Sequence, residues 1–154
     1  MLVRDVMRCS PKTCTRDTNL GVVMEMLRSC GCEALPVLDA NAKPVGMITG
    51  GDVCTALGAS NRRPSDLTAG QAMFRQAAVC RLTDEIHTAL QIMRSGKTRC
   101  LPVVNGEGTL EGMLCMSDLI LEAQHGNGKR PPLSYEDVMN ALKGIYWQRP
   151  AMIP

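Results

Sequence analysis

The chain has 154 residues, 45% hydrophobic and 21% charged, which is enough for one compact domain with a buried core. Its 17 basic and 15 acidic residues leave a net charge of +2 and no basic block, which argues against non-specific nucleic-acid binding. Aromatics make up only 3% (Phe74, Tyr135, Tyr146 and Trp147). That is too few for a stacking platform for single strands, so the core must draw on Val, Leu, Ile, 11 Met and 8 Cys.

The opening MLVRDVMRCSPK has no apolar run after its first charge, unlike a secretory leader. No stretch approaches the roughly 18 apolar residues of a membrane span, so a cytoplasmic protein with reduced thiols and no membrane partner is expected. Asp17, Thr18 or Asn19 can cap a first helix. Its apolar positions Leu20, Val23, Met24 and Leu27 recur at helical spacing, and Gly31 stops it. Two short apolar runs, Leu35–Leu38 and Val45–Thr49, flank the turn formers Asp39-Ala40-Asn41 and predict a β-hairpin. A further helix opens near Asp52, and Gly58–Ser65 is a short, turn-rich linker.

The same series then repeats. Thr83 or Asp84 can cap a helix carrying Ile86, Ala89, Leu90 and Met93, with Gly96 as its stop. Runs Leu101–Val104 and Gly112–Cys115 flank Asn105-Gly106-Glu107-Gly108, and a helix opens near Asp118. Beyond a loop at His125–Pro132, Ser134 can cap a helix over 135–146. That helix would present Val138, Met139, Leu142 and Ile145 on one face, which either packs on the rest of the chain or docks a partner or second copy.

At an offset of 66, residues 3–57 lie on 69–123 without a gap. Met7 falls on Met73, Cys14 on Cys80, Leu35-Pro36-Val37 on Leu101-Pro102-Val103, Gly46-Met47 on Gly112-Met113, and Asp52 on Asp118. The expectation is an α+β fold: two copies, each strand-helix-strand-strand-helix, related by pseudo-twofold symmetry, plus a C-terminal helix. Residues 1–65 hold the first copy and linker, 66–125 the second, and 126–154 a C-terminal loop and helix. Residues 1–125 would form one module, since a copy of about 55 residues is marginal alone.

This pattern resembles the CBS motif, which occurs in pairs as a Bateman module. The resemblance rests on Asp5-Val6-Met7, on Gly31-Cys32-Glu33-Ala34-Leu35-Pro36-Val37-Leu38-Asp39, on Val45-Gly46-Met47-Ile48-Thr49-Gly50-Gly51-Asp52, and on their order and duplication over residues 3–123. It implies a stand-alone regulatory module, not an enzyme. Such a module binds an adenosine nucleotide (AMP, ADP or ATP) or S-adenosylmethionine between its motifs, and relays occupancy to a homodimer mate or an effector protein. Asp52 and Asp118 would accept from ribose hydroxyls, because an ionised carboxylate is acceptor-only. Each can equally be a helix cap. Thr49 would donate to phosphate and the helix mouth would offer unpaired N–H groups. Cys115 stands where the second copy lacks that hydroxyl. Arg99 suits phosphate or is a solvated surface charge, whereas Glu33, its counterpart, repels phosphate. Cys32, Glu33 and Ala34 would help form the Asp118 site, and Thr98, Arg99 and Cys100 the Asp52 site. Met7, Pro36, Met47, Met73, Pro102 and Met113 are further cleft-lining candidates.

Catalytic chemistry finds no constellation. His87 is expected to be exposed and His125 lies in a loop; neither accompanies a nucleophile at a recognised spacing. No Gly-rich phosphate loop is present. Cys30-Gly31-Cys32 has no second close pair to complete a zinc site, so no metal is expected. Cys30, Cys54, Cys80, Cys100 and Cys115 read as buried reduced thiols, with regulation through Cys32 as a rival. The runner-up function is a protein-interaction module with degenerate pockets.

Overall fold

A computed structural model describes residues 1–75 and 78–147. Its first copy contains strands β1 (Arg8–Cys9) and β2 (Cys14–Thr15), helix α1 (Leu20–Cys30), strands β3 (Ala34–Leu38) and β4 (Pro44–Thr49), and helix α2 (Gly50–Ala59). The second copy repeats it with α3 (Ala69–Ala72), β5 (Phe74–Arg75), β6 (Cys80–Arg81), α4 (Ile86–Gly96), β7 (Cys100–Val104), β8 (Leu110–Cys115) and α5 (Met116–Glu122). Helix α6 (Tyr135–Tyr146) follows, over the residues predicted for it.

The strands form two four-stranded sheets, ordered β2-β3-β4-β5 and β1-β8-β7-β6. Each copy therefore lends its opening strand to the other. Arg8 pairs with Met113, and Phe74 with Met47. Two glycines allow it. A Cβ on Gly46 would lie 2.7 Å from the Phe74 carbonyl oxygen, and one on Gly112 2.6 Å from that of Arg8. Backbone cannot yield as a flexible side chain can, so Gly46→Ala or Gly112→Ala should cost about 1–3 kcal/mol through overpacking. Urea unfolding checks this; an unchanged midpoint in both variants would contradict the swapped pairing.

Each copy has its own core. The first joins Leu20 and Val23 of α1 to Leu35, Val37, Ile48 and Val53; the second joins Ile86, Ala89, Leu90 and Met93 of α4 to Leu101, Val103, Leu114 and Leu119. A third cluster, Ala34, Met47, Cys100 and Met113, draws on both sheets. It is the apolar contact that makes two marginal halves one body.

The halves differ where α6 lies. Val138, Ala141 and Ile145 extend the second core, so all four predicted apolar positions of α4 are buried. On α1, which has no such cover, Met24 stays exposed. Met139, expected on the packed face of α6, is exposed, and Ala141 is buried in its stead. The face is rotated toward α4, onto which the helix docks.

Three local expectations are corrected. Asn19 caps α1 by accepting from the Val22 N–H at 3.0 Å, but the N-cap of α4 is Glu85. Asp84 instead accepts from the Arg81 N–H in the preceding turn. Gly31 closes α1 in the left-handed conformation, whereas Gly96 is still helical and Lys97 takes that role with φ 52°. His87 is not simply exposed: its Nε2 is buried, 3.3 Å from an Asp137 carboxylate oxygen of α6.

Asp137 closes a capping box with Ser134 and also faces Arg130. Burial alone would push its carboxyl up, but the Ser134 hydroxyl and N–H, His87 and Arg130 outweigh this and hold it well below the usual carboxylate range. A depressed folded-state pKa stabilises above the unfolded value and loses that contribution as pH falls. The α6 dock should therefore weaken as pH drops below about 4, and Asp137→Asn should flatten that dependence in thermal melts taken across the acid range. Equal acid sensitivity in both proteins would contradict the assignment.

Candidate functional site between the two repeats

A cleft opens on each side of the junction, each built by the helix mouth of one copy and the strand entry of the other. The first, of about 390 Å³, brings Met47, Thr49 and Asp52 against Phe74, Thr98 and Cys100. The second, of about 360 Å³, brings Met113, Cys115 and Ser117 against Arg8, Cys32, Glu33 and Ala34. Both volumes fall within the range of roughly 300–1,000 Å³ typical of small-molecule sites.

In the first cleft Thr49 is the N-cap of α2 and Asp52 its third residue. The Asp52 Oδ2 accepts from the Thr49 N–H at 2.8 Å and from its hydroxyl at 2.9 Å. The Thr49 oxygen in turn accepts from the Asp52 N–H at 3.2 Å. The hydroxyl's one hydrogen is thus committed to the carboxylate, and Thr49 faces the cleft with acceptor capacity only. Both anticipated roles of Asp52 coexist: Oδ2 caps the helix, while Oδ1 takes no hydrogen bond among the described residues. Opposite stands Phe74, 67% exposed, with its ring open to the cleft.

The second cleft is different. The Cys115 N–H donates to Asp118 Oδ2 at 2.9 Å, and Arg8 Nε donates to Oδ1 at 2.5 Å. Asp118 is 7% exposed, does not line the cavity, and has both oxygens occupied. Ser117, one residue earlier, meets Arg8 at 3.3 Å. Arg8 and Phe74 occupy the same position in their copies, at the 66-residue offset. One repeat thus places a cation on the carboxylate where the other leaves an aromatic face beside it.

Other anticipated residues lie elsewhere. Arg99 is outside the first cleft proper, paired with Glu33 at 3.4 Å and donating to the Tyr146 hydroxyl at 3.1 Å. Met7 and Met73 pack over Gly112 and Gly46 and do not line either cavity. Pro36 and Pro102 stand opposite Met47 and Met113 in the hairpins, and their carbonyls accept from the thiols of Cys14 and Cys80.

The cysteines correct the reading of reduced buried thiols. Cys30 and Cys32 are joined by a disulfide, as are Cys100 and Cys115, with Cα atoms 5.2 and 4.1 Å apart. The second pair meets because Cys100 and Cys115 are register partners across the hairpin, a relation that needs the register to be known. Cys54 is exposed. Of the five so read, only Cys80 is a buried thiol, and Cys14 is another: burial pushes Cys14 up to about 11 and Cys80 up to about 12, the latter with help from Asp84. No group of three metal-ligating side chains occurs among the described residues.

Sequence reasoning missed Phe74 and Arg8 as groups bordering the clefts, and favoured a surface charge over a ligand for Lys97, which lines the first. The repeat offset carried a signal for the first two, since it sets a ring and a guanidinium in equivalent places.

The architecture is that of a tandem α+β repeat whose junction carries paired clefts. The chain belongs to the CBS domain family, which it matches at residues 3–59 and 69–125. Inosine-5'-monophosphate dehydrogenase of Mycobacterium bovis is 30% identical over 115 residues, 75% of this chain but 21% of the enzyme. The chain thus spans about a fifth of that relative's length. Among solved structures, the CBS domain protein TA0289 of Thermoplasma acidophilum, described as of unknown function, covers 94% of this chain and 75% of its own, at TM-score 0.78 and 17% identity. CBSX2 in complex with AMP covers 78% of this chain and 93% of its own, at TM-score 0.68 and 23% identity. At these identities the structural likeness speaks to the fold. No helix among the described residues is long and apolar enough to cross a membrane.

Proposed function

We propose that this chain is a non-catalytic sensor that holds one adenosine nucleotide in the cleft of Asp52, with its ribose on Oδ1 and its base against Phe74. One observation carries the reading: Asp52 keeps an open carboxylate oxygen beside an exposed ring, while the equivalent Asp118 is closed by Arg8. An ionised carboxylate at a helix mouth suits vicinal hydroxyls. Phe74, Met47 and Ala78 supply the apolar side of the cleft. The AMP bound by CBSX2 supports the ligand class.

Titration calorimetry with AMP, ADP, ATP and S-adenosylmethionine tests it. One ligand per chain is expected for at least one of them. No heat with any would transfer the function to partner docking, with both clefts serving only as structure.

Occupancy is passed on through a second copy of the chain. Ile120 and Leu121 of α5 are adjacent, apolar and 49% and 81% exposed, as a helix that pairs with its mate would be. Sedimentation should show a dimer that Leu121→Glu converts to monomer. A monomeric parent protein would leave the signal to an effector protein.

A further inference from the structure

The Asp52 cleft does not close at its mouth. It opens into a wider vestibule of about 810 Å³, and the two share Thr49, Lys97 and Thr98. The outer wall of that vestibule is the last turn of α6, with Ile145, Tyr146 and Trp147, which the CBS match at 3–59 and 69–125 does not include. Two cations fasten this wall. Lys97 Nζ donates to the Gly144 carbonyl and, at 3.2 Å, to the Trp147 carbonyl, and it lies 5.8 Å from the centre of the Trp147 ring. Arg99 donates to the Tyr146 hydroxyl. A cation at carbonyls that end a helix is favourable, but the acceptors on α6 are neutral; the charged partner of Arg99 is Glu33, at 3.4 Å.

Lys97 also adopts a left-handed backbone, φ 52°, where glycine is the usual residue and a side chain is strained. Gly96, immediately before it, stays in the helix. That a lysine bears this strain points to a role for its ammonium group.

Resting on the nucleotide reading above, we infer that the C-terminal turn of α6 is a phosphate-responsive latch. The phosphate of a nucleotide whose ribose sits on Asp52 competes with the turn for Lys97 and Arg99. A phosphate brings a full negative charge to these cations where the carbonyls and the phenol offer only dipoles, so the exchange favours the ligand. The rest of α6 stays in place, because Val138, Ala141 and Ile145 are buried in the second core and Ser134 caps the helix. Occupancy is thus converted into release of Tyr146 and Trp147, the end of the helix beyond the buried Ile145. A ligand lacking phosphate fills the cleft without moving it, since a ligand shifts an equilibrium only through differential affinity for the two states.

Trp147 is the only tryptophan in the chain, so its fluorescence reports the latch without a label. The full chain is titrated with AMP and, separately, with adenosine, by calorimetry and by acrylamide quenching of Trp147. AMP should bind and raise the quenching constant by roughly one and a half-fold at most, because Trp147 is already 61% exposed and gains only the remainder when it leaves Lys97. Adenosine should bind more weakly and leave quenching unchanged. Lys97→Gly relieves the left-handed backbone, so the fold is retained. Its quenching should begin near the AMP-bound value and no longer respond, while its affinity for AMP falls toward that for adenosine. Heat from AMP with no change at Trp147, or an equal change with adenosine, would overturn the latch and leave the nucleotide site standing. Absence of heat from every ligand would remove the site itself, and the latch with it.

Discussion

Asp52→Asn is expected to weaken AMP binding by about ten- to a hundredfold while leaving the protein folded. A hydrogen bond to a charged group contributes roughly 1.5–3 kcal/mol, and each 1.4 kcal/mol is about a factor of ten in affinity. Asparagine separates the two tasks of this residue. Its side-chain oxygen can still accept from the Thr49 N–H and hydroxyl, as Oδ2 does in the parent. What it lacks is the second acceptor and the charge that a ribose diol would use. The cap should therefore survive, with a stability change within about 1 kcal/mol. Calorimetry beside a thermal melt reads both. Undiminished affinity in a folded protein would mean that the sugar is held elsewhere.

Arg8→Ala should be the most damaging single change at the second cleft. Asp118 is almost fully buried, and its carboxylate would be left with only the Cys115 N–H. Breaking a buried pair from one side leaves an uncompensated charge, which can cost 3–5 kcal/mol. Arg8 is itself half exposed, so solvent screens part of the interaction and about 1–3 kcal/mol is the expected loss. Adding Asp118→Asn removes the stranded charge and should recover most of it, so the two substitutions should be clearly non-additive in denaturant unfolding. AMP affinity should be unchanged in both variants, because the cleft proposed for the nucleotide is the other one. Additive losses would show that the pair is not coupled.

Both predictions turn on a difference between the repeats that sequence patterning reached only partly. The duplication was legible because apolar spacing repeats with the residue identities: α1 and α4 and the two hairpins follow from it, while α6 follows from its Ser134 cap and its own apolar spacing. The strand exchange was not, since β1 and β5 are two residues each and carry no periodicity. With that exchange hidden, nothing in the chain order placed Arg8 on Asp118, 110 residues away. The carboxylates at both helix mouths were readable from the Thr49-to-Asp52 spacing and its copy. Whether each is open depends on residues that the exchanged strands deliver. Likewise, the Cys100–Cys115 pair follows from hairpin register, and the grip of Lys97 and Arg99 on α6 from how that helix docks. Local composition encodes neither.

The decisive measurement is a crystal structure of the full chain grown with AMP. The account predicts one nucleotide per chain, with ribose hydroxyls within hydrogen-bond distance of Asp52 Oδ1, the base on Phe74, and the Arg8–Asp118 pair intact. A nucleotide seated on Asp118 with Arg8 displaced, or an Asp52 cleft empty at saturating AMP, would contradict it.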